Sequence, residues 1–364
     1  MRAHDSSGAR RRRLIAVLGA MSLVVAACSG TAESSAPASS EPTTAPSEGA
    51  ATAAPSVNDE PLEIAYLSFA VANSYDAPML AAAQAAASAG NATLTVFDAN
   101  LDPAKQAQQL QDATASGQFD GIITQPLFGA GMVAGVEEAI AAGIGVANID
   151  QILGEDQTTA DSQVEGLLAN VAFVPSTLGR KIGELVVAAC AELAADPCNV
   201  GYIYSVKAAA LDTTLRVAFD EVTSSHPEIV VVQEGESFYT TALGLSASQN
   251  MLAAHDDLSL IVAADQAITG AVAAVEADGR ENKPLLIGYG GGAVALQGIE
   301  AGNRYGTVMQ MPATEGRIGT EQLVQALRTG EVFPGFDPLD DLPEGGVVTK
   351  ANVATFLPLA EWPG

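Results

Sequence analysis

From Leu62 to about residue 330 the chain repeats one pattern, a short run rich in apolar and β-branched residues followed by a longer Ala-rich stretch of helical character. Such alternation specifies a parallel sheet with helices on both faces, because each parallel strand needs a crossover and a helix supplies it. The expected strands are Glu63 to Leu67, Thr93 to Phe97, Gly121 to Thr124, Val146 to Ile149, Val200 to Tyr204, Ile229 to Val232, Ser259 to Ala263, Leu285 to Tyr289 and Gly306 to Gln310. Nine strands are more than one lobe needs, so the fold class expected is α/β with two doubly wound lobes. Asp102 before Pro103 and Asp212 before Thr213 read as helix caps. Gly90, Gly117, Gly279 and Gly330 read as helix ends that take the left-handed conformation.

Ahead of this body lies a leader. Arg10 to Arg13 form a basic n-region and Leu14 to Ala27 an apolar segment too short to span a bilayer. Val25-Ala26-Ala27-Cys28 resembles a lipobox, which implies a cleaved signal peptide over residues 1–27 and a lipid on Cys28 that tethers an exported chain to the outer face of the cell membrane. The alternative is an ordinary secretory signal with an incidental cysteine. Residues 28–60 are Ser, Ala, Pro, Thr and Glu with almost no large apolar side chain, the composition of a disordered linker. Two further cysteines, Cys190 and Cys198, are expected to form a disulfide in an oxidising compartment, with two separate buried thiols as the alternative.

The chain carries 16 basic and 43 acidic residues, a net charge of −27, and loss of the leader removes five arginines against one aspartate. So acidic a surface repels phosphate backbones and excludes a nucleic-acid partner. It also disfavours an anionic ligand. No Gly-x-Ser-x-Gly elbow or His-Glu-x-x-His motif is present, so no enzyme activity and no cofactor is expected. Gly290-Gly291-Gly292 lacks the Lys-Ser/Thr ending of a phosphate loop and reads as a turn. His226 and His255 stand at expected helix ends, where an imidazolium interacts well with the dipole, and neither suggests a metal. The pairs Asp256-Asp257 and Asp340-Asp341 read as solvated loops, with too few oxygens for calcium.

In doubly wound sheets ligands sit beyond the carboxyl ends of the strands. The segments there include Ser68 to Asp76, Gln125-Pro126-Leu127, Asp150-Gln151, Glu234 to Tyr239, Ala264-Asp265-Gln266, Gly290 to Gly292 and Gln310-Met311-Pro312. They are rich in carboxylates, amides and aromatic rings and poor in Arg, Lys and His, which suits a neutral, hydroxyl-rich ligand.

Asp98-Ala-Asn-Leu-Asp-Pro-Ala-Lys-Gln-Ala-Gln-Gln with its downstream Gly121-Ile-Ile-Thr-Gln-Pro, and Gly306-Thr-Val-Met-Gln-Met-Pro, are the most specific segments of a wider pattern. Ser176-Thr-Leu-Gly-Arg-Lys-Ile-Gly, Ala263-Ala-Asp-Gln-Ala-Ile-Thr-Gly-Ala and Leu286-Ile-Gly-Tyr extend it. Over residues 62 to 358 the chain resembles the type I periplasmic binding proteins, in the ribose and galactose branch that serves sugar ABC importers. The resemblance implies two lobes joined by three crossovers, an N-lobe of residues 61–174 plus 311–338 and a C-lobe of 175–310 plus 339–364. It further implies a monomer that traps a sugar or polyol between the lobes and delivers it to an ABC permease. A sensor that presents its closed form to a membrane kinase or chemoreceptor, or a binder of nucleosides or amino acids, is the alternative.

Carried onto this sequence, the resemblance assigns Asn73 and Tyr75 as amide and stacking ring, and Asp150 as the carboxylate that grips adjacent hydroxyls. From the C-lobe it assigns Tyr239 or Phe238 as the opposing aromatic, Asp265 as a hydroxyl partner and Gln310 as the crossover glutamine. Gln151 stands where sugar binders often have Arg, Leu215 where another Arg is expected with Arg216 one position off, and Gly290 in place of a carboxylate. These departures are expected to enlarge or re-polarise the pocket, and the long stretch from Asp150 to Ser176 to add a rim.

Overall fold

A computed structural model describes residues 59–364. The expected leader, its Cys28 and nearly all of the expected linker lie outside the described residues.

The first part of the chain winds β1 (Leu62–Ser68), α1 (Asp76–Ala89), β2 (Ala92–Asp98), α2 (Pro103–Ser116), β3 (Gly121–Thr124), α3 (Gly129–Ala141), β4 (Gly145–Asp150) and β5 (Ala169–Ala172) into a five-stranded sheet of order β2-β1-β3-β4-β5. Every pairing in it is parallel. Successive residues of a strand face opposite sides, so Ile64 and Tyr66 pack with Met79 and Ala83 of α1, while Ala65 and Leu67 pack with Leu110 of α2 and Val136 of α3. Coverage on both faces explains the unbroken apolar run of β1. The edge strand β2 alternates instead, as a half-exposed strand should.

The second part begins with α4 (Pro175–Leu193) and continues through β6 (Cys198–Tyr204), α5 (Ala210–Thr223), β7 (Ile229–Glu236), α6 (Thr241–Ala254), β8 (Leu258–Ala264), α7 (Asp265–Asp278), β9 (Leu285–Gly290), α8 (Ala293–Ala301) and β10 (Gly306–Met309). With β11 (Val347–Thr349) these strands form a second sheet, of order β11-β10-β9-β8-β6-β7. Only β11 runs antiparallel. Val200, Tyr202, Leu260 and Ile287 face Leu178, Leu215 and Phe219 of α4 and α5; Ile203, Ile261 and Leu286 face Met251 and Ile268 of α6 and α7.

All nine expected strands are present, the last ending at Met309, one residue short of Gln310. Two more had no strong signal: β5 and β11, of four and three residues. Asp102 caps α2 by accepting from the backbone N–H of Ala104 at 2.9 Å and Lys105 at 3.1 Å. Asp212 does not cap α5, which begins two residues earlier at Ala210. From the first turn its carboxylate instead accepts the N–H groups of Ser205, at 2.6 Å, and Val206, at 3.0 Å, and so holds the loop after β6. Gly117, Gly279 and Gly330 are left-handed helix ends, whereas Gly90 has a negative φ of −90° and serves by lacking a Cβ, which would meet Val324 at 2.8 Å. Cys190 and Cys198 are joined by a disulfide, Cα to Cα 5.9 Å, tying the end of α4 to the start of β6.

The chain passes between the sheets at Ala172 to Pro175, at Met309 to Pro312 and near Asp337. After the second passage α9 (Pro312–Thr329) returns to cover β4 and β5 of the first sheet, and Phe333 and Phe336 donate backbone N–H groups to Leu168 and Asn170. Asp337 pins the first and third passages together, one carboxylate oxygen accepting from the Val174 N–H and the other from the Leu339 N–H, both at 2.9 Å. The chain end departs from the expected lobe division. Glu361 accepts from the Thr314 N–H at 2.9 Å, and Trp362 enters the core of the first lobe beside Tyr66, Tyr75 and Met79. The Trp362 indole N–H also donates to the Gly290 carbonyl of β9 at 2.9 Å, so residues 361–364 touch both lobes.

Candidate functional site

The carboxyl ends of β1 and β4 face those of β8, β9 and β10, and a cavity lies between them. Of the residues assigned to the site from sequence, Asn73, Tyr75, Asp150, Gln151, Tyr239 and Gln310 all line it. Tyr75 precedes α1, and the Asn73 side chain accepts its backbone N–H at 2.8 Å, setting the loop that turns the ring inward. Asp150 ends β4 with a left-handed backbone, φ +71°, unusual for a residue with a Cβ and frequent where a binding site holds strain. Burial pushes its carboxyl from the usual 3.8 up to about 7, the amide of Gln125 pulling the other way.

Two assigned residues do not reach the cavity. Phe238 and Tyr239 are both left-handed, φ +47° and +54°, and this turn directs Tyr239 inward while leaving Phe238 43% exposed. Asp265, the first residue of α7, is buried beneath the site. There it accepts from the Arg304 guanidinium at 3.1 Å, the Thr307 hydroxyl at 2.8 Å and the Gly291 N–H at 2.7 Å. A carboxylate so fully engaged braces the second sheet, and its neighbour Gln266 faces the cavity in its place.

Sequence reasoning missed most of the walls. Phe69, Phe173, Tyr289 and Trp362 add rings to those of Tyr75 and Tyr239, and Leu211 and Ala264 complete the apolar surface. Trp362 had no signal, because it lies 287 positions from Tyr75 in sequence yet meets that ring edge-on, centroids 5.4 Å apart. It also explains Gly290. A Cβ there would sit 2.6 Å from the Trp362 ring, and Gly290 has φ +129°. The expected enlargement of the pocket at this point is therefore corrected: the indole fills the space. Leu215 is buried in the core of the second lobe, while Arg216 pairs outside the cavity with Asp220 and Glu234. The stretch after Asp150 buries Ile152, Leu153, Gln157 and Val164 under the first lobe.

Behind the rings lies a network of acids. Gln125 donates one amide nitrogen to both Asp76 and Asp150, the latter at 3.1 Å. The Tyr75 hydroxyl donates to Glu315 of α9 at 3.3 Å. Burial, then repulsion from Asp150, pushes the carboxyls of Asp76 and Glu315 well up. Among the described residues, no Arg, Lys or His lines the cavity. Its chemistry is aromatic faces for stacking, amides and carboxyls for hydroxyl groups, and nothing that would hold an anion.

The profile of the periplasmic binding protein domain matches residues 64–331. The chain belongs to the periplasmic binding protein family. Within the family it is 27% identical to the D-allose-binding periplasmic protein of Escherichia coli K12 over 249 residues, which are 67% of this chain and 76% of that protein. Among solved structures, a galactofuranose binding protein superposes with a TM-score of 0.71 at 18% identity, covering 82% of this chain and 98% of the other. An ABC transporter solute binding protein from Mycobacterium smegmatis with bound glycerol gives 0.70 at 24% identity, covering 84% and 99%. These structures share the two-lobed parallel-sheet fold. The family implies an extracytoplasmic location, and the Mycobacterium smegmatis neighbour is a solute binding protein of an ABC transporter.

Proposed function

We propose that this chain captures a small polyhydroxylated ligand, a sugar or polyol, between its lobes and delivers it to an ABC importer. The observation that carries this reading is that one cavity takes walls from both lobes, Tyr75 and Asp150 from the first, Tyr239, Gln266 and Tyr289 from the second. Only a ligand that touches both sides gains affinity from closure, so closure and capture are one equilibrium. An apolar ring face stacks on an aromatic, while Asp150 and the amides of Asn73, Gln151 and Gln310 answer the hydroxyls, each such bond to a charged group worth roughly 1.5 to 3 kcal/mol. The names of the relatives, which bind allose and galactofuranose, and the glycerol in a third, support this class.

Export with a lipid on Cys28, action as a monomer and the lobe division at residues 174, 310 and 338 belong to the same proposal. A receptor held at the membrane surface raises its local concentration beside the permease. A thermal-shift screen over sugars, polyols, nucleosides and amino acids tests the ligand class, since a ligand bound to the folded state raises the melting temperature by mass action. Stabilisation by a sugar or polyol is expected. Stabilisation confined to nucleosides or amino acids would reject the reading.

A further inference from the structure

Asp76 and Asp150 stand side by side at the cavity wall, bridged by a single amide nitrogen of Gln125. Asp76 is 1% exposed and Asp150 3%. The second oxygen of Asp76 has no hydrogen-bond partner among the described residues, although the residue lines the cavity. Behind them Glu315 has an oxygen equally unpartnered. Buried carboxylates normally sit beside a guanidinium or ammonium, as Asp265 does beside Arg304. Here the same cavity is lined by rings, Tyr75, Phe173 and Trp362 together with Tyr239 and Tyr289 of the second lobe.

Electron-rich ring faces together with unpaired carboxylates form a binding environment for a cation, since ring quadrupole and carboxylate both attract positive charge. Building on the sugar-or-polyol reading, we propose that the ligand is a polyhydroxylated ammonium compound, an amino sugar or aminocyclitol, whose NH3+ group donates to Asp76 and Asp150. Its hydroxyls face the amides of Asn73, Gln151, Gln266 and Gln310. The sequence suggested a neutral ligand because carboxylates and amides were read together; the geometry separates them, the acids on the first lobe's wall and amides on both lobes.

The titratable groups facing this pair are Tyr66 from β1, Tyr75 ahead of α1, Glu315 from α9 and Tyr239 from the second lobe, with Asp98 and Asp212 farther out. All of them are acids, so none neutralises the pair. Without a cation the carboxyls favour their protonated forms. An ammonium ligand displaces those protons, and its affinity therefore rises as pH rises toward neutrality.

Calorimetric titration of the wild-type protein with matched compounds tests this. 2-Amino-2-deoxyaldoses and aminocyclitols would be compared with their parent sugars and cyclitols and with the N-acetylated amines. The amine is expected to bind at least about tenfold more tightly than its parent. N-Acetylation is expected to remove the gain, and the amine's affinity to increase from about pH 6 to about pH 7.5. Asp76→Asn is expected to narrow the ratio of amine to parent. Parent compounds binding as tightly as the amines would overturn the ammonium assignment while upholding sugar or polyol capture. Binding of neither set, with capture of nucleosides instead, would overturn both.

Discussion

Asp150 shows how one residue sets both the chemistry and the stability of this site. All of its strand but Gly145 is buried, its backbone is left-handed and burial pushes its carboxyl from 3.8 up to about 7. A carboxyl raised in this way is protonated in folded and unfolded chains alike below about pH 4. Between there and about pH 7 the unfolded chain releases the proton and the folded chain keeps it, so stability falls as pH rises through this window. Asp150→Asn should flatten that slope and raise the ligand-free melting temperature at neutral pH, measured by calorimetry from about pH 4 to about pH 8. It should weaken ligand capture at the same time. A variant no more stable than the wild type at neutral pH would show that the buried charge carries no penalty. Asp265, equally buried, is also pushed up by burial, but Arg304, the Thr307 hydroxyl and the Gly291 N–H pull its carboxyl the other way.

At the level of elements, the disulfide and the cleft occupy opposite ends of the second sheet. Cys198 begins β6, whereas the loop after Tyr204 ends it on the side of the cavity. Closing so short a loop contributes about 2 to 3 kcal/mol through the unfolded chain. Reduction should therefore lower the melting temperature by a few degrees and leave ligand affinity unchanged. A loss of affinity on reduction would mean that α4 and β6 transmit strain to the site. The strands were legible because alternation and buried apolar runs follow from a two-sided parallel sheet. β5 and β11 were not, since Ala169–Ala172 and Val347–Thr349 are too short to show a period and are held by neighbours already in place. Residues at or just beyond strand ends, such as Asp150 and, in the loop after β1, Asn73, were legible for the same reason as the strands. Phe238 and Tyr239 could not be told apart, because a turn with two left-handed residues in succession decides which ring faces inward. Asp265 does not line the cavity; it is buried against Arg304, 39 positions away, a contact that no local pattern announces.

For the whole molecule, the end of the chain makes the cleft a three-part structure. Two lobes supply the walls, and the segment Glu361 to Gly364 closes a gap between them, anchored to α9 through Thr314 and to α8 through the Ala293 and Val294 N–H groups. Nothing in the sequence pattern indicated this, because contact between remote segments leaves no local period. Trp362 is nonetheless the single tryptophan of the chain and lines the cavity, so its emission reports on the site alone. Titration of that emission with sugars, polyols and their amino derivatives tests capture between the lobes most directly. A saturable change with a polyhydroxylated compound, lost in Asp150→Ala, is the predicted result; a saturable change produced only by nucleosides or amino acids, or one that survives in Asp150→Ala undiminished, would contradict it.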